Sequence, residues 1–237
     1  MKAVTHSQVS HRVSSFILQT SSFICVLCAF VAPTLARAGE FSQVSHYSER
    51  LFSYGTLIVE ARIGDLKIEG WDEPRVEIEA EKVVQAGSEA KAQRLYKQIQ
   101  IQLISEERNV RLRTIFPPRR LWRPFRGATK LSVNYRIRMP YDANLTLRCV
   151  DGDVRVRGIV GNQQIRVSYG DVEVTIPSVH RLHSLDARAF LGYVQSDLHG
   201  EDSAGWGRQV SFFNTDGDQD ISVRVRMGGV YVYGYER

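Results

Sequence analysis

One short unit constrains the fold of this chain more than any other feature: Gly, Asp, an aliphatic residue, any residue, an aliphatic residue. It stands as Gly64-Asp65-Leu66-Lys67-Ile68, Gly152-Asp153-Val154-Arg155-Val156 and Gly170-Asp171-Val172-Glu173-Val174. Looser copies begin at Gly192, Gly217 and Gly229, so the glycines from 152 onward are spaced 18, 22, 25 and 12 residues apart. Glycine accepts a positive-φ corner, aspartate hydrogen-bonds the turn backbone, and the alternating aliphatics face inward. A rung of this kind cannot bury its apolar side alone and must stack on another.

The rest of the chain also alternates with period two, the signature of half-buried strands. Leu57, Val59, Ala61 and Ile63 share a phase; Val76 and Ile78 follow a turn at Asp72-Glu73-Pro74. Ile99, Ile101 and Leu103 form a strand that pairs with Val110 and Leu112 across Glu106–Asn109, and Leu131–Met139 runs to Pro140. One helix is expected, over 88–98, capped by Ser88 and carrying Ala92, Leu95 and Ile99 at helical spacing. The expected fold class is therefore all-β: a parallel β-solenoid-like stack of short strands with one helical excursion near 88–98. An antiparallel β-sandwich is the alternative, since alternation is common to both.

Three stretches together resemble the bacterial putative-adhesin domain family of unknown function. They are Thr56-Leu57-Ile58-Val59 with Gly64–Asp72 and Val76–Ala80; Tyr135-Arg136-Ile137-Arg138-Met139-Pro140; and the later Gly-Asp repeats. The resemblance covers about residues 51–235. It implies an exported or envelope-associated, β-solenoid-like protein without known catalytic residues. The stretch 116–128 departs from it as an insertion.

Residues 1–38 read as an export signal. Lys2 and Arg12 precede an apolar run through Phe16–Leu35, Pro33 breaks it, and Ala36-Arg37-Ala38 offers small residues for cleavage before Gly39. An uncleaved anchor is the alternative, but the apolar core is shorter than the ~20 residues of a spanning helix. Residues 39–50 read as an N-terminal linker and 51–237 as a single domain. The net charge of +5 falls to +2 over 39–237, with 28 Lys and Arg against 26 Asp and Glu. Nucleic acid is not an expected partner on that balance. Cys25 and Cys28 fall in the signal, leaving Cys149 alone and in phase with Leu145 and Leu147, as a core thiol.

The strongest binding candidate is the cluster Arg119, Arg120, Trp122, Arg123, Phe125 and Arg126, where guanidinium groups alternate with rings. Such a segment suits an anionic envelope lipid or glycan, while a solvated, proline-stiffened loop is the simpler reading. Arg148, Arg155, Arg157 and Arg166, with Arg224 and Arg226, fall in the outward phase, where stacked rungs would align them into a ladder, neutralised in part by Glu173. Gly64, Asp65, Gly152, Asp153, Gly170 and Asp171 read as structural turns. Asp216–Asp220 lacks the glycine and glutamate positions of a calcium loop, and His180, His183 and Asp186 lack a third strong ligand. Tyr231, Tyr233 and Tyr235 alternate and are expected to shield a sheet edge.

No catalytic residue, metal or cofactor is expected. The function expected is that of an exported, non-enzymatic envelope protein presenting a surface for binding or scaffolding. The alternatives are an accessory or sensor component of an envelope-stress system, working through contacts with an envelope protein, and a polysaccharide-active enzyme with paired carboxylates.

Overall fold

The computed structural model describes residues 39–117, 130–198 and 203–234, without the side chains of 203–206. The expected leader 1–38 and the six binding candidates from Arg119 to Arg126 lie outside the described residues.

The apolar phase of the repeats builds a pair of parallel arms. In the first arm β2 (Thr56–Glu60) lies between β6 (Asn109–Ile115) and β8 (Asn144–Asp151), followed by β10 (Gln163–Tyr169), β14 (Gln219–Met227) and β12 (Leu182–Ser196). In the second arm β3 (Leu66–Trp71) lies between β7 (Leu131–Pro140) and β9 (Val154–Arg157), followed by β11 (Val172–Ile176), β15 (Val230–Gly234) and the last residues of β12. Register aligns the aliphatics: Val59, Leu147, Ile165, Val223 and Ala187 form one column, and Leu66, Val154, Val172, Val230 and Val194 another. All ten are buried. Burying a side chain the size of valine or leucine contributes roughly 1.5–3 kcal/mol, so the columns are the main source of cohesion.

Antiparallel strands extend both arms: β4 (Arg75–Ala86) pairs with β7, β1 (Gly39–Arg50) with β4, β5 (Gln100–Glu106) with β6, and β13 (Ser203–Phe213) with β12. Because β12 pairs with β14 through its first part and with β15 through its end, the arms join into one mixed, nearly closed, barrel-like sheet. The expectation of a parallel solenoid is corrected accordingly. Its strands are not all parallel, and stacking does not follow chain order, since β12 lies beyond β14 and β15. The all-β class stands.

Among the described residues the α-helix α1 (Glu89–Tyr96) starts where Ser88 accepts a hydrogen bond from the Lys91 amide, and it buries Ala92 and Tyr96. Residues 39–50 are not a linker. They form β1, in register with β4 over all twelve residues. The sequence conceals this strand because polar residues occupy most of its positions, so its order comes largely from the neighbouring ladder, with Phe41 and Tyr47 alone packing against the core.

Candidate functional site

The corners set the geometry. Gly64, Gly152, Gly170, Gly228 and Gly192 all have φ between 127° and 153° and stack in a column. A Cβ on Gly152 would lie 2.1 Å from the Gly64 carbonyl oxygen; on Gly170, 2.3 Å from that of Gly152; on Gly228, 2.1 Å from that of Gly170. The last corner is thus Gly228, one residue before the expected Gly229. Beside the column the aspartates bond in relay. Asp65 accepts from the Asp153 amide at 3.1 Å, Asp153 from the Asp171 amide at 3.0 Å, and Asp171 from the Gly229 amide at 2.7 Å. Each carboxylate thereby pins the next rung at a fixed height.

A second relay, not anticipated from the sequence, runs along the other turn. The Asn144 side chain accepts from the Asn162 amide at 2.9 Å, and Asn162 from the Asp220 amide at 2.8 Å. Gly217 sits at that end, against Leu182 and His183, and is not a corner of the first kind.

With rungs held at fixed height, outward side chains at equal register fall into rows. One row on the first arm reads Arg113, Glu60, Arg148, Arg166, Arg224, Arg188. At a strand spacing of about 4.8 Å it is about 24 Å long. Its ends are neutralised: Glu60 pairs with Arg113 at 3.4 Å, and Asp186 with Arg188 at 2.7 Å and Arg224 at 3.8 Å. Arg148 and Arg166, directly opposite each other at the centre, are exposed and form no ion pair among the described residues. They line a shallow depression of about 550 Å³ with Arg62, Arg113, Val150 and Ser168, and Glu60 lines it opposite Arg148.

The second arm is arranged oppositely. Glu173 stands between Arg155 and Arg157, at 3.4 and 2.7 Å, while Glu79 pairs with Arg136 at 3.1 Å and Glu77 with Arg138 at 2.5 Å. Arg138 and Arg75 also lie over the Trp71 ring. The outward arginines noted in sequence therefore divide into a self-neutralised set, Arg155 and Arg157, and an open one, Arg148 and Arg166.

Other candidates are taken up by local structure. Asp218 is bound bidentately by Arg181, at 2.6 and 3.1 Å, which holds its carboxyl below the usual range. Asp220 accepts from Ser184, and the intervening Gln219 is buried, donating to the carbonyls of Ile159 and Gly161. His183 bonds the Asn214 carbonyl through Nδ1 and packs edge-on against Phe213. Tyr231 and Tyr233 do not shield an edge, because β15 is flanked by β11 and β12. They lie on its outer face with Tyr193, which packs across Gly229.

Cys149 is buried beneath the row, its thiol 3.9 Å from the Gly64 carbonyl. Burial pushes its pKa from 9.0 up to about 11. Because the folded value is raised, the thiol's contribution to stability is whole below pH 9 and is lost as pH rises towards 11. That loss amounts to about 2–3 kcal/mol at most. Melting temperature measured against pH is expected to fall more steeply above pH 9 in the native chain than in Cys149→Val. Parallel curves for the two proteins would contradict this.

Among the described residues no helix is long and apolar enough to cross a membrane. No protein-family model matches the chain. No curated protein matches it either. Among solved structures, a putative cell adhesion protein from Clostridium sporogenes is 10% identical, with 81% of this chain and 100% of that one covered and a TM-score of 0.46. A putative adhesin from Bacteroides fragilis is 10% identical, with 81% and 97% covered and a TM-score of 0.24. A putative lipid binding protein from Parabacteroides distasonis is 10% identical, with 82% and 97% covered and a TM-score of 0.22.

Proposed function

We propose that the chain is an exported, non-enzymatic envelope protein that holds an anionic lipid or glycan against the outer face of its first arm. The observation that carries this reading is the row Arg148–Arg166–Arg224, stacked in register with carboxylates only at its ends. Like charges set directly opposite each other on a sheet destabilise it. An external anion removes that repulsion, and guanidinium groups suit it because they are weakly hydrated and donate in a planar fork. A flat, open row fits a polymer or a layer of headgroups better than a small molecule, which needs an enclosing pocket.

The basic segment from Arg119 to Arg126 follows β6, the strand that carries Arg113, and is proposed to add a second set of guanidinium contacts to the same ligand. The leader 1–38 is proposed to be removed on export. Intact mass of the protein recovered outside the cytoplasm is expected to correspond to a chain beginning at Gly39; a retained leader would mean an anchored protein.

The binding reading is tested by co-sedimentation with three probes: phosphatidylglycerol vesicles, phosphatidylcholine vesicles, and an insoluble acidic glycan. Retention by at least one anionic probe, declining with added salt, is expected. Equal retention on all three, or on none, would overturn it.

A further inference from the structure

Among the described residues the sheet leaves a long edge at β1 that the anion-binding reading does not use. Among the described residues, β1 is paired on one side only, with β4, over twelve residues and without a register shift. Natural edge strands are blunted by proline, lysine, bulges or shortness. Gly-Glu-Phe-Ser-Gln-Val-Ser-His-Tyr-Ser-Glu-Arg contains no proline and no lysine, and from Phe41 to Ser48 it contains no Asp, Glu, Lys or Arg.

The hydrogen bonds fix which residues face outward. The Leu51 amide donates to the Pro74 carbonyl at 3.3 Å, which makes that pair a bonded one. Bonded and non-bonded pairs alternate along an antiparallel ladder. The odd residues of β1 therefore bond β4, and the even ones, Glu40, Ser42, Val44, His46, Ser48 and Arg50, direct their amides and carbonyls away from the sheet. The opposite edge of β4 agrees, because the Gln85 amide donates to Lys130 of the β7 side.

We infer that β1 pairs antiparallel with β1 of a second copy about a two-fold axis through Ser45. A symmetric pairing must set even residues opposite even residues, since only these carry free backbone groups. That requirement excludes an axis between two residues and leaves axes through Val44 or Ser45 near the strand centre. An axis through Ser45 sets Glu40 opposite Arg50 of the second copy at both ends, Ser42 opposite Ser48, and Val44 opposite His46. An axis through Val44 sets Glu40 opposite Ser48 and leaves Arg50 beyond the strand. The strand is thus complementary to itself in charge as well as in hydrogen bonding. Its even side chains are exposed, so both charged pairs form on the open face. An isologous interface of this kind closes as a dimer and leaves no edge for further growth at β1.

The test uses the chain expressed at full length and purified, its N-terminus read by intact mass, in sedimentation equilibrium up to about 100 μM, where a micromolar Kd gives mostly dimer. A dimer is expected. Val44→Pro removes an outward amide while sparing the β4 ladder, and is expected to give a folded monomer. Glu40→Arg and Arg50→Glu each replace two attractive pairs with repulsive ones. Each is expected to raise Kd roughly tenfold, with the double swap restoring the native value. A native monomer at the highest concentration, or a Val44→Pro dimer of unchanged Kd, would overturn the inference. Failure of the double swap to restore the native Kd would overturn the register. None of these outcomes bears on anion retention, so the two readings fail separately.

Discussion

Gly152→Ala is expected to lower stability by more than about 4 kcal/mol, a loss that places it among the most damaging single substitutions. Its φ of 148° lies where side chains are rarely tolerated, a strain of about 1–3 kcal/mol. The larger part comes from the neighbouring rung. The added methyl would lie 2.1 Å from the Gly64 carbonyl oxygen, and Gly64 is tied to the same rung by its amide, which donates to Asp151 at 2.9 Å. Moving Gly64 away breaks that bond and shifts Asp65, which holds the Asp153 amide. Relief at one corner is therefore transmitted to the next. Gly87→Ala is the matched control, since an added Cβ there meets nothing within 4 Å. For a domain of this size the expected fall in melting temperature at Gly152 is about 8 °C or more, against little change at Gly87. Similar small shifts for both would mean that the corner column does not hold the rungs.

The double substitution Arg148→Ala with Arg166→Ala is expected to separate stability from binding. Removing two like charges set opposite each other relieves repulsion, so stability is expected to rise, by no more than about 1 kcal/mol. The same substitution removes two charge-assisted contacts to an anion, each contributing about 1.5–3 kcal/mol. Affinity for an anionic probe is then expected to drop by a factor of about 100 or more. Arg155→Ala with Arg157→Ala is expected to do the reverse: it leaves Glu173 without its two partners and changes affinity little. Unfolding curves and vesicle retention on the same two proteins check both halves.

These expectations differ in how far the sequence foretold them. Gly64-Asp65, Gly152-Asp153 and Gly170-Asp171 were legible because the corner needs one residue without a Cβ and one short acceptor, followed at once by inward aliphatics. The same dipeptide misled at Gly217-Asp218, where the aspartate bonds Arg181 and the next residue is a buried glutamine. At Gly228-Gly229 two adjacent glycines concealed which one turns. The second relay carries a weaker signal in the sequence: Asn144, Asn162 and Asp220 each stand immediately before an inward-facing residue of a strand, without a positive-φ glycine corner to mark them. For the site, parity alone placed Arg148, Arg155, Arg157 and Arg166 on outer faces. It could not separate the open pair from the neutralised pair, because Glu173 reaches Arg157 only through stacking of β11 on β9. Strand order is a product of distant pairing. No local pattern foretells that β12 joins the two arms, or that a polar stretch such as β1 is held by β4.

Arginine-directed dicarbonyl labelling, read by peptide mapping with and without phosphatidylglycerol vesicles or acidic glycan, probes the binding face residue by residue. With ligand present, Arg148 and Arg166 are expected to be protected, while Arg155 and Arg157 label at the same rate as in free protein. Protection of Arg155 and Arg157, or unaltered labelling of Arg148 and Arg166 in protein that has demonstrably bound, would contradict the assignment of the first arm as the contact surface.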